Sequence, residues 1–299
     1  MSAFNRLLVA ALPLTPKFVV RRVASRYVAG ESLDDAVRTV RELNGQGAMA
    51  TLDLLGEEVA ERAKAEACAA DYVRILDRIQ AEGLDSNVSI KPTMLGLKID
   101  EGFCRDNVER IVAAAHRHGN FVRIDMEDRT TTDATLRMYR ALQERYGNVG
   151  VVLQAYMRRT LSDIAALPAA GTNVRLCKGI YIEPRAAAWK GYDTVRANYL
   201  SALAALIARG IYPAVATHDE YLACGAVALL RRHGLPREGY ELQMLLGVDE
   251  ALRRILLAEG HRLRVYVPFG RDWYAYSMRR LRENPEVARH VLRAMLAGR

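Results

Sequence analysis

Short apolar runs recur along the chain, each soon after a glycine. They are AMATLDLL after Gly47, NVSIK after Gly83, FVRID after Gly119, VGVVLQA after Gly147, NVRLCK after Gly171, YPAVATH after Gly210, YELQML after Gly239 and RLRVYVPFG after Gly260. A glycine closing a helical stretch takes positive φ without steric cost, so these glycines read as left-handed helix caps. The runs are short, rich in β-branched residues and too apolar to leave one face wet. That suits strands buried on both sides. Helical periodicity fills the intervals. A series of eight such β/α units predicts a closed parallel barrel, which takes roughly 250 residues. Residues 46–299 supply that length. Chemistry in such barrels sits at the carboxyl ends of the strands. Those ends read Asp53, Lys91, Asp125, Gln154, Lys178, His218, Gln243 and Tyr266.

Residues 1–45 stand ahead of the barrel as a helical segment. Leu7–Leu14 is apolar but short and interrupted by proline, which argues against a signal peptide. Lys17–Val28 reads as a basic amphipathic helix. Val19, Val20, Val23 and Tyr27 share a face, with Arg21, Arg22 and Arg26 mostly elsewhere. It either braces the barrel or anchors the protein on a membrane surface. Ser32 and Asp35 predict a capped helix running to Gly45. Between strands, Ala202, Leu203, Leu206 and Ile207 form one core stripe, and Val227, Leu229 and Leu230 belong to another. The last helix is different. Asp272 is an N-cap, and Tyr276, Arg279, Arg280 and Glu283 then share one face at helical spacing. An outer barrel helix should bury an apolar stripe there. This aromatic and ionic stripe is either a salt-bridged surface or the face of a helix that lies over the mouth and aims two guanidiniums into it.

Composition narrows the class. A 299-residue chain with 51% apolar residues can bury one large core. The four cysteines, Cys68, Cys104, Cys177 and Cys224, have neither metal-ligand spacing nor the density of a disulfide framework, which points to a reducing compartment. No HExxH, nucleophile elbow or Walker loop is present, so no metal site is expected. Gly45–Gln46–Gly47 with Ala50 mimics a dinucleotide fingerprint but precedes a strand. The formal net charge of +8 is either a solvated basic surface or an attraction to anionic lipid. Nucleic acid fits less well, because no basic run is interleaved with aromatics. No apolar stretch is long enough to span a bilayer.

The strand-end residues suggest the chemistry. Lys91, Asp125, Arg175, Lys178 and His218 would converge on one mouth, with Arg279 and Arg280 above it. Buried charges are costly unless paired or serving a ligand. Paired arginines suit bidentate capture of a carboxylate or phosphate. The cationic surplus implies an anionic substrate, an anionic cofactor, or both.

The segment Arg175–Leu176–Cys177–Lys178–Gly179–Ile180–Tyr181 resembles the RLVKGAY signature of proline dehydrogenases. Val215–Ala216–Thr217–His218–Asp219 resembles their ATHN segment. Gln154–Ala155–Tyr156, Glu241–Leu242–Gln243–Met244, and Tyr266–Val267–Pro268 followed by Tyr276, Arg279–Arg280 and Glu283–Asn284 match in family order. The match covers residues 47–284. The chain thus resembles a stand-alone bacterial proline dehydrogenase, and is shorter than relatives with a fused aldehyde-dehydrogenase module.

The resemblance implies FAD at the carboxyl face of a distorted (β/α)8 TIM-like barrel, with the last helix over the mouth. Met126, Gln154, Lys178, Gly179, Ile180, Thr217 and His218 would contact FAD. Arg175 would sit near the flavin N5 edge. Arg279 and Arg280 would clamp the proline carboxylate, with Lys91 adding charge. Tyr266 would pack on the pyrrolidine ring, and Tyr276 and Glu283 would complete the pocket. Asp125 would orient Lys91, Arg175 or the substrate amine. Glu57 would be a gate residue pairing with a last-helix arginine. The implied reaction is hydride transfer from L-proline to flavin N5, giving Δ1-pyrroline-5-carboxylate, the first step of proline catabolism to glutamate. Electrons would pass to a quinone. A cytoplasmic protein in peripheral contact with the inner face of an anionic membrane is expected, with pyrroline-5-carboxylate dehydrogenase as metabolic partner. Cys177, Ile180, Asp219 and Val267 depart from the family pattern. Asp219 brings a negative charge close to the flavin. Tyr266 favours proline over hydroxyproline, whose oxidising relatives carry a smaller residue there.

Two other classes compete. One is a Schiff-base lyase using Lys91 or Lys178, which needs an amine of depressed pKa. The other is a non-enzymatic basic membrane module, for which convergent charges inside a barrel have no use.

Overall fold

The structure is a computed structural model that describes residues 25–274 and 276–277. Eight parallel strands close into a barrel in sequence order. They are β1 (Met49–Leu54), β2 (Ser86–Ile90), β3 (Val122–Ile124), β4 (Val149–Gln154), β5 (Asn173–Cys177), β6 (Tyr212–Ala216), β7 (Glu241–Leu245) and β8 (Leu263–Phe269). The helices are α1 (Leu33–Gly45), α2 (Arg62–Ala81), α3 (Glu101–Arg117), α4 (Thr132–Tyr146), α5 (Thr160–Ala166), α6 (Tyr192–Ala208), α7 (Glu220–Arg232) and α8 (Glu250–Ala258). Closure is made by β1 and β8, which pair from Met49 with Arg264 to Leu54 with Phe269.

The glycine pattern holds with one correction. Gly147, which ends α4, has φ 74° and donates its amide to Gln143 O. Gly239 is not left-handed. It closes a 3-10 turn, Arg237–Gly239, and the left-handed residue after α7 is Gly234 at φ 64°. The connection simply carries an extra turn that the spacing hid. The α6 stripe is buried as expected. In α7 the buried face is Leu222, Ala223, Ala226 and Leu230, so Val227 and Leu229 flank it. Positions 222, 226 and 230 are four apart and lie above one another on a helix.

The helix α1 explains the course of the chain after β8. Ser32 and Asp35 form a reciprocal capping box at its start. Its buried residues Ala36, Val40 and Leu43 join the same core as the barrel strands, and it packs on β8 and β1. That is where an eighth outer helix would sit. After β8 the chain instead turns at Gly270 and begins a helix at Trp273, and Tyr276 is buried with Leu55 and Val28. Leu55 follows β1, so this helix starts at the carboxyl end of the barrel.

Arg279, Arg280 and Glu283 lie outside the described residues, as does most of Lys17–Val28. Within that stretch Ser25–Tyr27 is a turn and Val28 is not helical, contrary to the predicted helix. Backbone pairing is the reason. Ala29 donates to Pro268 O at 2.9 Å, and Gly30 O accepts from Gly270 N at 2.9 Å. An extended edge at this point is incompatible with helix.

The strands are buried on both sides, but the interior is polar. Alternate residues carry Thr51 and Asp53, Asn87 and Ser89, Arg123, Arg175, Glu241 and Gln243, and Arg264 and Tyr266. Gln243 and Tyr266 therefore sit mid-strand, not at strand ends. The apolar alternates face the helices and form the main core.

Candidate active site

At the mouth, Arg175 is the most heavily bonded cation. It projects from β5 and is 6% exposed. Its Nε donates to Gln243 Oε1 at 2.6 Å, and its Nη1 to Ser89 Oγ at 3.0 Å and Asp125 Oδ1 at 2.8 Å. The guanidinium also lies 5.3 Å from the Tyr266 ring centroid. Asp125 follows β3 directly and accepts in addition from Ser89 Oγ at 2.7 Å and, more weakly, from the Tyr266 hydroxyl at 3.4 Å. Of the two side chains expected as partners for Asp125, Arg175 bonds to it directly, whereas Lys91 bonds to Asp53. Burial and the nearby Asp53 and Asp125 carboxylates raise the Tyr266 phenol well above its ordinary range, so it stays protonated.

Lys91 follows β2. Its Nζ donates to both oxygens of Asp53 at 2.7 Å, and Asp53 is fully buried. Burial by itself lowers the Lys91 ammonium, but Asp53 and Asp125 outweigh it and raise the pKa. Asp53 is raised in turn, chiefly by burial. In the sequence Asp53 reads only as a strand end. The alternation T-L-D-L, with its aspartate on the inner face, was the available signal.

Lys178 follows β5 and donates to Asp219 Oδ2 at 2.6 Å. Asp219 is a hub. It also accepts from Arg196 Nε at 2.8 Å, Arg196 Nη2 at 2.7 Å and the Tyr192 hydroxyl at 3.0 Å, and it caps α7. Burial alone would raise its carboxyl, but hydrogen bonds from Arg196, Lys178 and Tyr192 reverse this and hold it far below the usual range. The aspartate is thus neutralised by two cations.

The remaining positions surround this set. Gln154 ends β4 and donates to Glu127 O at 2.8 Å, while its buried Oε1 has no partner among the described residues. Gly179 has φ 112°, and a Cβ there would stand 2.1 Å from the Tyr156 ring. No other residue fits that backbone without displacing the ring. His218 Nε2 accepts from Leu245 N at 2.7 Å, which places the ring hydrogen on Nδ1. Thr217 Oγ1 accepts from Asp219 N at 3.1 Å. Met126 is buried after β3, Ile180 is half-exposed after β5, and Glu57 is exposed in the loop after β1. Among the described residues, no helix is long and apolar enough to cross a membrane.

A closed β/α barrel with ionisable groups gathered at the carboxyl ends of its strands defines a barrel enzyme. The proline dehydrogenase family model matches residues 36–293, and the chain belongs to that family. It is 40% identical over 281 residues to a proline dehydrogenase of Deinococcus radiodurans, covering 92% of this chain and 91% of that one. It is 36% identical over 273 residues to proline dehydrogenase 1 of Bacillus subtilis, covering 91% and 90%. Among solved structures, proline utilization A of Bdellovibrio bacteriovorus superimposes with a TM-score of 0.82 at 24% identity. That likeness covers 87% of this chain but only 32% of the larger protein, and shows the shared barrel.

Proposed function

We propose that this enzyme oxidises L-proline to Δ1-pyrroline-5-carboxylate with bound FAD and passes the electrons to a quinone. The observation that carries the reading is Arg175, fixed at the centre of the mouth by Asp125, Ser89 and Gln243 and lying beside Tyr266. FAD, when bound, supplies the hydride acceptor at N5 and the route to the quinone.

The residues present fit that cofactor. Gln154 offers an unsatisfied buried acceptor, as an imide N–H requires. Gly179 would present its backbone to the cofactor, though the Tyr156 ring alone already requires a glycine there. Lys178, Thr217 and His218 add donors, with Met126 and Ile180 as apolar contacts. Lys178 and Arg175 would supply positive charge to an anionic reduced flavin and its pyrophosphate.

Substrate binding follows from the other side of the mouth. Tyr266 presents its ring to the pyrrolidine. Lys91 spends two donors on Asp53 and keeps a third for the substrate carboxylate. Arg279 and Arg280 complete the clamp, Tyr276 and Glu283 its wall, and Glu57 its gate. Asp125 holds Arg175 in place. The lyase reading fares worse, because a Lys91 amine raised by two carboxylates is the reverse of an activated nucleophile.

The purified protein is expected to be yellow and to bleach with proline under anaerobic conditions. A colourless protein that cannot be reconstituted with FAD sinks the reading. Proline should be preferred to trans-4-hydroxyproline, and Tyr266→Ser should narrow the gap in kcat/KM. Delivery to a quinone also implies membrane contact through residues 1–30. Liposome binding that weakens with salt, and is lost on truncation, is the expected result.

A further inference from the structure

The interior of the barrel carries a continuous hydrogen-bonded line from its floor to Arg175. Arg264 on β8 donates Nε to both oxygens of Glu241 at 3.1 Å. Glu241, at the start of β7, accepts from Gln243 Nε2, and Gln243 Oε1 accepts from Arg175 Nε at 2.6 Å. The amide of Gln243 is therefore oriented from both ends. A carboxylate can only accept and a guanidinium can only donate. Each hydrogen bond in such a line polarises the next.

Register makes the line possible. Arg175 pairs with Ala214 on β6, and Ala216 pairs with Gln243 on β7. Both intervening residues carry only a methyl group, so the Arg175 side chain reaches across β6. The mechanism proposed above counts Gln243 only among the groups around Arg175, and gives Glu241 no part. Yet Glu241 is 4% exposed and Gln243 5% exposed, and buried polar side chains in a barrel interior require a reason.

We propose that Gln243 is a positioning residue for Arg175, and that Glu241 acts through it by fixing the direction of its amide. Gln243, Ser89 and Asp125 together take Nε and Nη1 and define the plane of the guanidinium. Nη2 is left without a protein partner among the described residues and is presented to the ligand. This inference rests on the flavin reading of the mouth.

The test uses FAD-loaded wild type, Gln243→Leu, Glu241→Gln, Arg175→Lys and the double variant Gln243→Leu/Arg175→Lys. Thermal unfolding is measured alongside. Loosening Arg175 withdraws positive charge from the reduced cofactor. Gln243→Leu should shift the two-electron flavin equilibrium toward the oxidised form about tenfold, near 30 mV. Its kcat should fall about tenfold, with a smaller change in proline KM. Glu241→Gln should shift the equilibrium in the same direction by less. A shift toward the reduced form would mean that Glu241 acts through space as a charge, and overturns the relay.

An unchanged flavin equilibrium in folded Gln243→Leu also overturns it. If Gln243→Leu does not fold, the sign in Glu241→Gln decides. Adding Gln243→Leu to Arg175→Lys should change the equilibrium little further, since the bond to Nε is already gone. Full additivity counts against the relay. A colourless wild type that cannot be reconstituted fails at the earlier step, and removes the flavin reading together with the relay.

Discussion

The floor and the mouth of the barrel interior hold the same kinds of charge and treat them differently. On the floor, Arg264 is closed off on every nitrogen, by Glu241, by Ala50 O at 2.7 Å and by Met49 Sδ at 3.2 Å. Arg123 donates to Val151 O at 3.1 Å and Asn173 O at 2.8 Å and leaves only a buried Nε unpartnered among the described residues. At the mouth, Arg175 and Lys91 are each held from one side by a carboxylate and keep donors in reserve. Gln154 keeps an acceptor. Burial of charge is thus common to both ends. What marks the mouth is that whole donor groups, not a single leftover nitrogen as on Arg123, stay free of protein acceptors among the described residues.

The largest effect should come from opening a closed pair. Arg264→Met strands Glu241 in the interior. Breaking a buried pair from one side typically costs about 3–5 kcal/mol. The loss should appear in denaturant unfolding and be alike in flavin-loaded and flavin-free protein. At the mouth, Lys91→Met should cost less at mildly acid pH. Asp53 is already raised by burial, so without Lys91 it takes up a proton. A carboxyl raised in the folded state contributes stability below its unfolded pKa and loses it as pH rises through the folded value. The variant should therefore be more stable at pH 5 than at pH 8. A pH-independent loss equal to that of Arg264→Met would erase the difference between the two ends.

Asp219→Asn is the next step down. It removes a carboxylate that neutralises Lys178 and Arg196. Hydrogen bonds to charged groups contribute about 2 kcal/mol, and part-exposed cations reduce that. The Asp219 pKa is depressed on folding, so its contribution is present above the unfolded value near 3.9 and lost as pH falls below it. The variant should lose stability at neutral pH and show a flatter acid limb below about pH 4. FAD should bind more tightly, because Lys178 is released to an anion. Weaker FAD binding would show that Asp219 serves the site by holding Lys178 in place.

These contrasts also show what could be read in the chain. Glycine spacing and β-branched runs made the closed barrel legible, because caps and buried strands are local features. Among the mouth residues, Asp125 was legible as a strand end, and Arg175, Lys178 and His218 through their family-like segments. The floor was not. Strands such as ELQML and LRVYV alternate polar and apolar residues, but their apolar content masked the period of two. Buried polar alternates only make sense once closure turns one face inward. The partners of Lys91 and Lys178 were hidden for a related reason. Asp53 is 38 residues before Lys91 and Asp219 is 41 after Lys178, separations that only the barrel register bridges.

The smallest expected effect asks whether the outer wall belongs to this comparison. The helix α1 fills the seat between β8 and β1 and is started by Ser32, whose hydroxyl accepts from Asp35 N at 3.2 Å while Asp35 accepts from Ser32 N at 3.1 Å. Ser32→Ala removes one side of that box, and N-cap losses of this kind cost about 1 kcal/mol. Ser32→Thr keeps the hydroxyl and should restore most of it. Because α1 touches the outside of the strands, the loss should be the same with and without FAD, and proline KM should not move. A ligand that binds only the folded state adds its own increment to stability. That increment should be equal in wild type and variant if wall and mouth are independent. If Ser32→Ala instead loosens FAD, the helix in the eighth seat is coupled to the mouth. The division of the barrel into a closed floor and an open mouth would then have to include the wall that α1 supplies.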